Sequence, residues 1–152
     1  MAYFVKNGTT FVYQGKKLDN NDTEIPPQPS EFHSIVVEDN KPVWKIDHKK
    51  VKNFLANKRK EVERKGITVE SIVFTSDQKD LIKETLTYQT GNTTVSLWKD
   101  ANGNFFEDIP FSILEKALKR LYFQQLDLNI AEKLKYDEII NGEISSKNFT
   151  LL

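Results

Sequence analysis

Alternation of apolar and polar residues dominates the first 48 positions, and helical spacing takes over afterwards. Tyr3-Phe4-Val5-Lys6 and Thr9-Thr10-Phe11-Val12-Tyr13 flank Asn7-Gly8. That dipeptide predicts a two-residue hairpin, because both central residues of a type I′ turn need positive φ. From Gly15 to Ser30 the chain turns polar and then carries Ile25-Pro26-Pro27-Gln28-Pro29. Prolines remove amide donors and hold the backbone extended, so this stretch reads as a linker or an edge-hugging loop. A second hairpin is expected with His33 to Val37 paired to Val43 to Asp47, placing Trp44 and Ile46 on one face and Val43 and Lys45 on the other.

Asp47 suits a helix N-cap, and Val51, Phe54, Leu55 and Val62 recur at helical spacing until Gly66 supplies a stop. Ile67-Thr68-Val69 and Ile72-Val73-Phe74 are two short β runs around Glu70-Ser71, an imperfect turn because neither residue readily takes positive φ. A second helix should begin after Ser76 or Asp77, turn Leu81, Ile82, Thr85 and Leu86 inward and end before Gly91. A third hairpin, Thr94 to Trp98 with Phe105 to Glu107, closes through Lys99 to Asn104. Beyond Pro110, with Ser112 and Glu115 as an alternative capping pair, an unbroken helical pattern continues to Ile140 and meets Gly142.

That last helix would be roughly 45 Å long at 1.5 Å per residue. Leu114, Ala117, Leu118, Leu121 and Tyr122 make one apolar stripe, and Phe123, Leu126, Ile130 and Leu134 a second one rotated around the axis. Two stripes need two partners. Either the helix kinks or is buried between layers of its own chain, or the second stripe is a self-association seam, most simply in a two-fold homodimer. The expected class is α+β: a small N-terminal β-hairpin module followed by a domain of short hairpins and three helices, the last one long. The expected divisions are 1–48 with its proline-rich linker, 49–142, and a flexible tail at 143–152.

Composition narrows the function. The chain has 152 residues, no cysteine, and 22 basic against 22 acidic side chains, so neither a disulfide framework, a thiol nucleophile nor a thiolate metal site is available. Zero net charge argues against whole-molecule attraction to nucleic acid or acidic membrane. Met1 to Lys6 lacks the apolar core of a signal peptide and no long apolar run occurs, so the expectation is a soluble chain that neither follows that export route nor spans a membrane.

Chemistry-bearing patterns are sparse. The two histidines, His33 and His48, are scattered. Asp47 could orient His48 as a base, but neighbours on an extended chain point to opposite faces, so surface or capping roles are expected. Glu107 and Asp108 could form an acid/base pair, yet their position before a helix favours stabilisation by the N-terminal dipole. Nucleotide-loop, zinc-helix and nucleophile-elbow motifs do not occur. The expectation is therefore no catalytic residue, metal or cofactor. Lys49, Lys50, Lys52, Lys58, Arg59, Lys60, Arg64 and Lys65 against Glu61 and Glu63 concentrate charge on the first helix. A solvated polar face is expected rather than a nucleic-acid site, with an anionic partner as the residual reading. Aromatics on a small sheet leave one face uncovered unless something packs on it, which makes Tyr3, Phe11, Tyr13 and Trp44 candidate partner-binding residues.

Leu55-Ala56-Asn57-Lys58-Arg59, Glu63, Gly66-Ile67-Thr68, Phe74-Thr75-Ser76-Asp77-Gln78 and Val95-Ser96-Leu97-Trp98-Lys99-Asp100-Ala101-Asn102-Gly103, followed by the long helix, together resemble an uncharacterised domain at the C-terminus of bacteriophage tail proteins. The resemblance covers about residues 50 to 142. Upstream, Pro26-Pro27-Gln28-Pro29 and Lys41-Pro42-Val43-Trp44-Lys45-Ile46-Asp47-His48 resemble tail-fibre assembly proteins, departing from them where Lys49-Lys50 replaces Arg-Gly-Lys. The resemblance implies a non-enzymatic phage or prophage tail protein, either a tail-fibre assembly chaperone or a fibre-associated factor that binds a fibre subunit. It would act in the host bacterial cytoplasm during assembly, or in the virion tail. A structural tail or fibre component retained in the particle is the alternative, and a small hydrolase of host surface glycan is a remote one.

Overall fold

The computed structural model describes residues 1–88 and 91–152, and its class is the expected mixture of short antiparallel hairpins and three helices with a long last one. Two units emerge. One comprises Met1–Phe54 with Tyr136–Thr150, the other Leu55–Lys135 with Leu151–Leu152. The first cut falls after Phe54, inside the first helix, and residues 136–150 group with the N-terminal strands.

In the first unit, β1 (Tyr3–Val5) pairs antiparallel with both β2 (Val12–Gln14) and β3 (Thr23–Ile25), in the order β2-β1-β3. Phe4 faces Tyr13 across one ladder and Glu24 across the other. Two expectations are corrected. The first connection is not a two-residue turn: residues 6–11 form the loop, and of Asn7 and Gly8 only Gly8 has positive φ, at 73°. Thr9 accounts for the longer loop, since its hydroxyl donates to the Lys6 carbonyl at 2.8 Å and accepts the Phe11 amide at 3.1 Å. The proline-marked stretch, expected as a linker or an edge-hugging loop, does reach the sheet edge but as a strand, β3, which enters just before Pro26, where lost amide donors are tolerated.

β4 (His33–Glu38) and β5 (Lys41–Ile46) form the expected second hairpin. It closes through Asp39 and Asn40, both at positive φ (49° and 61°), as a two-residue primed turn requires. Val5, Ile25 and Ile35 are buried together, with Tyr3, Val12 and Trp44 packed against them. Asp47 caps α1 (His48–Lys65) as expected, its Oδ1 accepting the Lys49 amide at 3.0 Å and the Lys50 amide at 3.3 Å. Phe54 meets Phe32 and Phe149 edge-on, with ring centroids 5.1 and 5.0 Å apart.

In the second unit Gly66 ends α1 at φ 68°, and a Cβ there would lie 2.2 Å from the Phe74 carbonyl oxygen, so only glycine fits. β6 (Ile67–Val69) and β7 (Ile72–Phe74) pair through Glu70 and Ser71, which do adopt positive φ (48° and 69°). A 3₁₀ turn at Ser76–Gln78 leads into α2 (Lys79–Thr87). The expected extent of this helix up to Gly91 includes residues 89–90, which lie outside those described. Ile82 is fully buried, whereas Leu81 points outward. β8 (Thr94–Lys99) and β9 (Phe105–Pro110) follow, then α3 (Phe111–Ile140). The core here gathers Phe74, Ile82, Trp98, Ile109, Leu114, Ala117 and Leu121.

Candidate protein-binding surface

α3 sorts its apolar residues by helical angle. Leu114, Ala117, Leu121 and Leu128 recur at spacings of three, four and seven and are fully buried. Leu118 is half-buried, and Tyr122, one residue round from Leu121, is exposed. The second stripe stays uncovered: Phe123 is 49%, Leu126 39%, Ile130 61% and Leu134 57% accessible. Spacings of three, four and four put these side chains in one row along the helix. Tyr122 and Phe123 meet edge-on with ring centroids 5.8 Å apart, so the row is continuous with the tyrosine beside it.

Beside Tyr122 a cleft of about 600 Å³ opens between α2 and α3, with Leu86, Leu118 and Tyr122 among its lining and Lys79, Lys83, Glu115, Lys119 and Gln125 as its polar groups. Lys79 donates to Gln125 Oε1 at 2.6 Å and so ties the start of α2 to α3. The cleft was not legible in the sequence. Its only linear trace is Lys79 and Lys83 four apart, one helical turn, with Lys119 far away along the chain.

The four N-terminal aromatics are treated differently from one another. Phe11 is 62% accessible. Tyr3 is half-buried against the Val5 cluster. Tyr13 stacks on Phe4 with ring centroids 5.5 Å apart, and its hydroxyl donates to the carboxylate of buried Asp22. Trp44 packs on the same cluster and donates its indole N–H to the Pro26 carbonyl at 2.7 Å. The structure thus brings Tyr3 and Trp44 to one cluster and leaves Phe11 outside it.

Several of the remaining polar candidates are engaged within the chain. Asp47 points its carboxylate at the first amides of α1 and at the Ser34 hydroxyl, while His48 Nδ1 lies 2.5 Å from the Tyr136 hydroxyl, so the two neighbours do not form a base and its orienting acid. The Lys50 amide and then Ser34 hold the Asp47 carboxyl below the ordinary value. His33 Nδ1 meets the Ser30 hydroxyl at 2.8 Å. Glu107 and Asp108 are exposed on β9. On the basic helix, Arg59 pairs with Glu63 at 3.7 Å and with Glu132 at 3.0 Å, and Lys58 with Glu61 at 3.6 Å.

Among the described residues no group of three or more His, Cys, Asp or Glu side chains is placed to hold a metal ion, and no helix is long and apolar enough to cross a membrane. No family model, curated protein or solved structure matches the chain.

Proposed function

We propose that this chain is a non-enzymatic protein-binding factor of a phage or prophage tail: a tail-fibre assembly chaperone, or a fibre-associated factor, that binds a fibre subunit. The observation that carries the protein-binding part is apolar surface left uncovered: Phe11 in the first unit, and on α3 the row Phe123, Leu126, Ile130 and Leu134. Removing a large apolar side chain from water is worth about 1.5–3 kcal/mol when complete, and four of them in line form a surface whose natural complement is another apolar protein face. The tail assignment is supported by the ordered resemblance from Leu55 to the long helix and by the Pro-Pro and Trp-containing segments before it. In this reading the factor covers apolar surface or unpaired strand edges of an immature fibre until the fibre hides them by trimerisation. Phe11 is the N-terminal aromatic best placed for that contact, and α3 serves pairing with a second copy of the chain. No cofactor is needed for such an action.

Co-expression with the tail-fibre gene adjacent to its own tests the reading. Fibre recovered in soluble form only in the presence of this chain supports the chaperone. A chain that stays bound in finished particles supports the structural alternative. A fibre indifferent to the chain in both yield and co-purification overturns the tail-fibre role.

A further inference from the structure

The cleft between α2 and α3 joins two features that select a partner. Its apolar lining, Leu86, Leu118 and Tyr122, offers hydrocarbon and one aromatic face, and its cations stand on both helices, Lys79 and Lys83 on α2 and Lys119 on α3. Lys79 is held by Gln125. Lys83 and Lys119 are exposed on the two separate helices that border the lining. Glu115 is the only acidic side chain among the lining residues. The local charge is therefore positive in a chain whose total is zero.

We propose that this cleft is a docking site for an acidic peptide segment carrying apolar residues at helical spacing. A cleft between two helices accepts a third amphipathic helix, whose apolar side chains fill the floor. Carboxylates flanking those side chains meet Lys83 on one side and Lys119 on the other, and a basic segment is repelled by the same pair. Nucleic acid fits less well. It asks for several stacking faces along a cationic track, whereas the cleft supplies one tyrosine, two leucines and a carboxylate. The proposal rests on the protein-binding reading above and adds the chemistry of the bound segment.

The probe is a fluorescein-labelled synthetic peptide of about 15 residues, rich in glutamate with leucine and phenylalanine at three- and four-residue spacing, titrated with the full chain by anisotropy. Two controls keep the apolar residues and replace every glutamate by glutamine or by lysine. A Kd of about 10–100 µM for the acidic peptide is expected, weakened at least tenfold in either control, by added salt, and in the Lys83→Glu/Lys119→Glu double variant. Both lysines are exposed, so the variant should keep its circular dichroism and melting point. Tyr122→Ala should weaken binding without altering its charge dependence. Equal binding of the three peptides, no binding of the acidic one, tighter binding of a single-stranded 15-mer oligonucleotide, or indifference to the double lysine variant would each overturn the proposal. Because the probe is synthetic, a negative result leaves the co-expression outcome untouched, and a fibre that ignores the chain leaves this result standing.

Discussion

The Tyr13 hydroxyl donates a 2.5 Å hydrogen bond to Oδ2 of Asp22, whose other oxygen accepts the Asn7 amide at 2.9 Å. Oδ2 also accepts the Asp19 amide at 3.1 Å, and the Leu18 amide donates to the Tyr13 oxygen at 2.9 Å. One carboxylate and one phenol thus stitch both loops of the three-stranded sheet. A strand of three residues cannot hold itself in register, and these bonds supply what the short ladders lack.

The stitch should be visible in pH dependence. The Tyr13 hydroxyl, then the Asn7 amide, hold the Asp22 carboxyl below the ordinary 3.8. A depressed folded value means stability that is present above 3.8 and lost as pH falls through the lower folded value. Desolvation, then the bond to Asp22, raise the Tyr13 phenol above 10.0, so its contribution is present below 10.0 and lost as pH rises through the folded value. Hydrogen exchange at the β1 amides should be slow and level between about pH 5 and 9 after correction for intrinsic rates, and opening should become easier on both sides. Asp22→Asn should shrink the acid limb. An unchanged limb would remove Asp22 from this account.

Asp100 does the same work in the second unit. Its Oδ1 accepts the Asn102 and Asn104 amides at 2.9 Å each, and Oδ2 accepts the Val73 amide at 3.3 Å. Burial by itself would raise its carboxyl, but the Asn104, Val73 and Asn102 amides outweigh it and hold the group below the ordinary value. Asp100→Ala strands those donors, and a loss of about 1–3 kcal/mol is expected in urea melts. Asp100→Asn, which keeps one acceptor oxygen, should lose less. Equal losses would show that the one retained acceptor oxygen recovers nothing and that the stabilisation lies in the second oxygen and the charge.

What was legible in the sequence depended on how local its cause was. The hairpin at 33–46 follows from alternation, the start of α1 from Asp47, and the long helix from its unbroken spacing. The Asn7-Gly8 turn was misjudged because Thr9, a residue outside the dipeptide, rearranges the loop with its own hydroxyl. β3 was hidden because its three residues sit beside prolines and take their register from β1 alone. Glu70 and Ser71 adopt a conformation neither prefers, since the flanking strands place Ile72, Phe74 and Val69 in the core and leave the turn no alternative. On the surface, the row on α3 was readable from periodicity, whereas the cleft between α2 and α3 brings together residues 79 and 119 that no spacing rule connects.

Trp98 is buried against Phe74, with ring centroids 5.9 Å apart, yet its indole N–H has no hydrogen-bond partner among the described residues. An orphaned buried donor costs about 1–3 kcal/mol. Trp98→Phe keeps an aromatic ring in place and deletes the donor, so its net effect on urea stability should stay within about 1 kcal/mol, while Trp98→Ala should cost about 3–5 kcal/mol. Similar losses for both variants would mean that the indole is paired in solution.

Under the proposed fibre binding, the internal contacts of the N-terminal aromatics separate exposed Phe11 from Tyr13 and Trp44, which already have partners. Phe11→Ala should leave the melting point unchanged and weaken co-purification of the fibre subunit several-fold. Tyr13→Phe and Trp44→Phe each delete one internal donor, to Asp22 and to the Pro26 carbonyl, and should loosen the first unit without directly touching a partner. If Phe11→Ala lowers the melting point while binding is unchanged, the residue belongs to the fold instead.

The row on α3 makes the sharpest demand. Phe123, Leu126, Ile130 and Leu134 are between 39% and 61% accessible, so a second copy packed along them would finish a burial that the chain leaves incomplete. In an antiparallel two-fold pair centred near Leu128, Leu126 faces Ile130 of the other copy, and Phe123 faces Leu134, so every apolar residue finds an apolar partner. The gain is bounded. Completing four half-made burials yields only a few kcal/mol beyond the cost of association, so pairing should be reversible and concentration-dependent rather than obligate. Light scattering should give a mass rising towards twice 17.6 kDa at high protein concentration. Leu126→Glu with Ile130→Glu places like charges opposite each other across the seam and should return a monomer with unchanged circular dichroism, because both side chains are already exposed. An unmodified chain that is monomeric at several hundred micromolar would end the self-association idea and leave the row to a different protein.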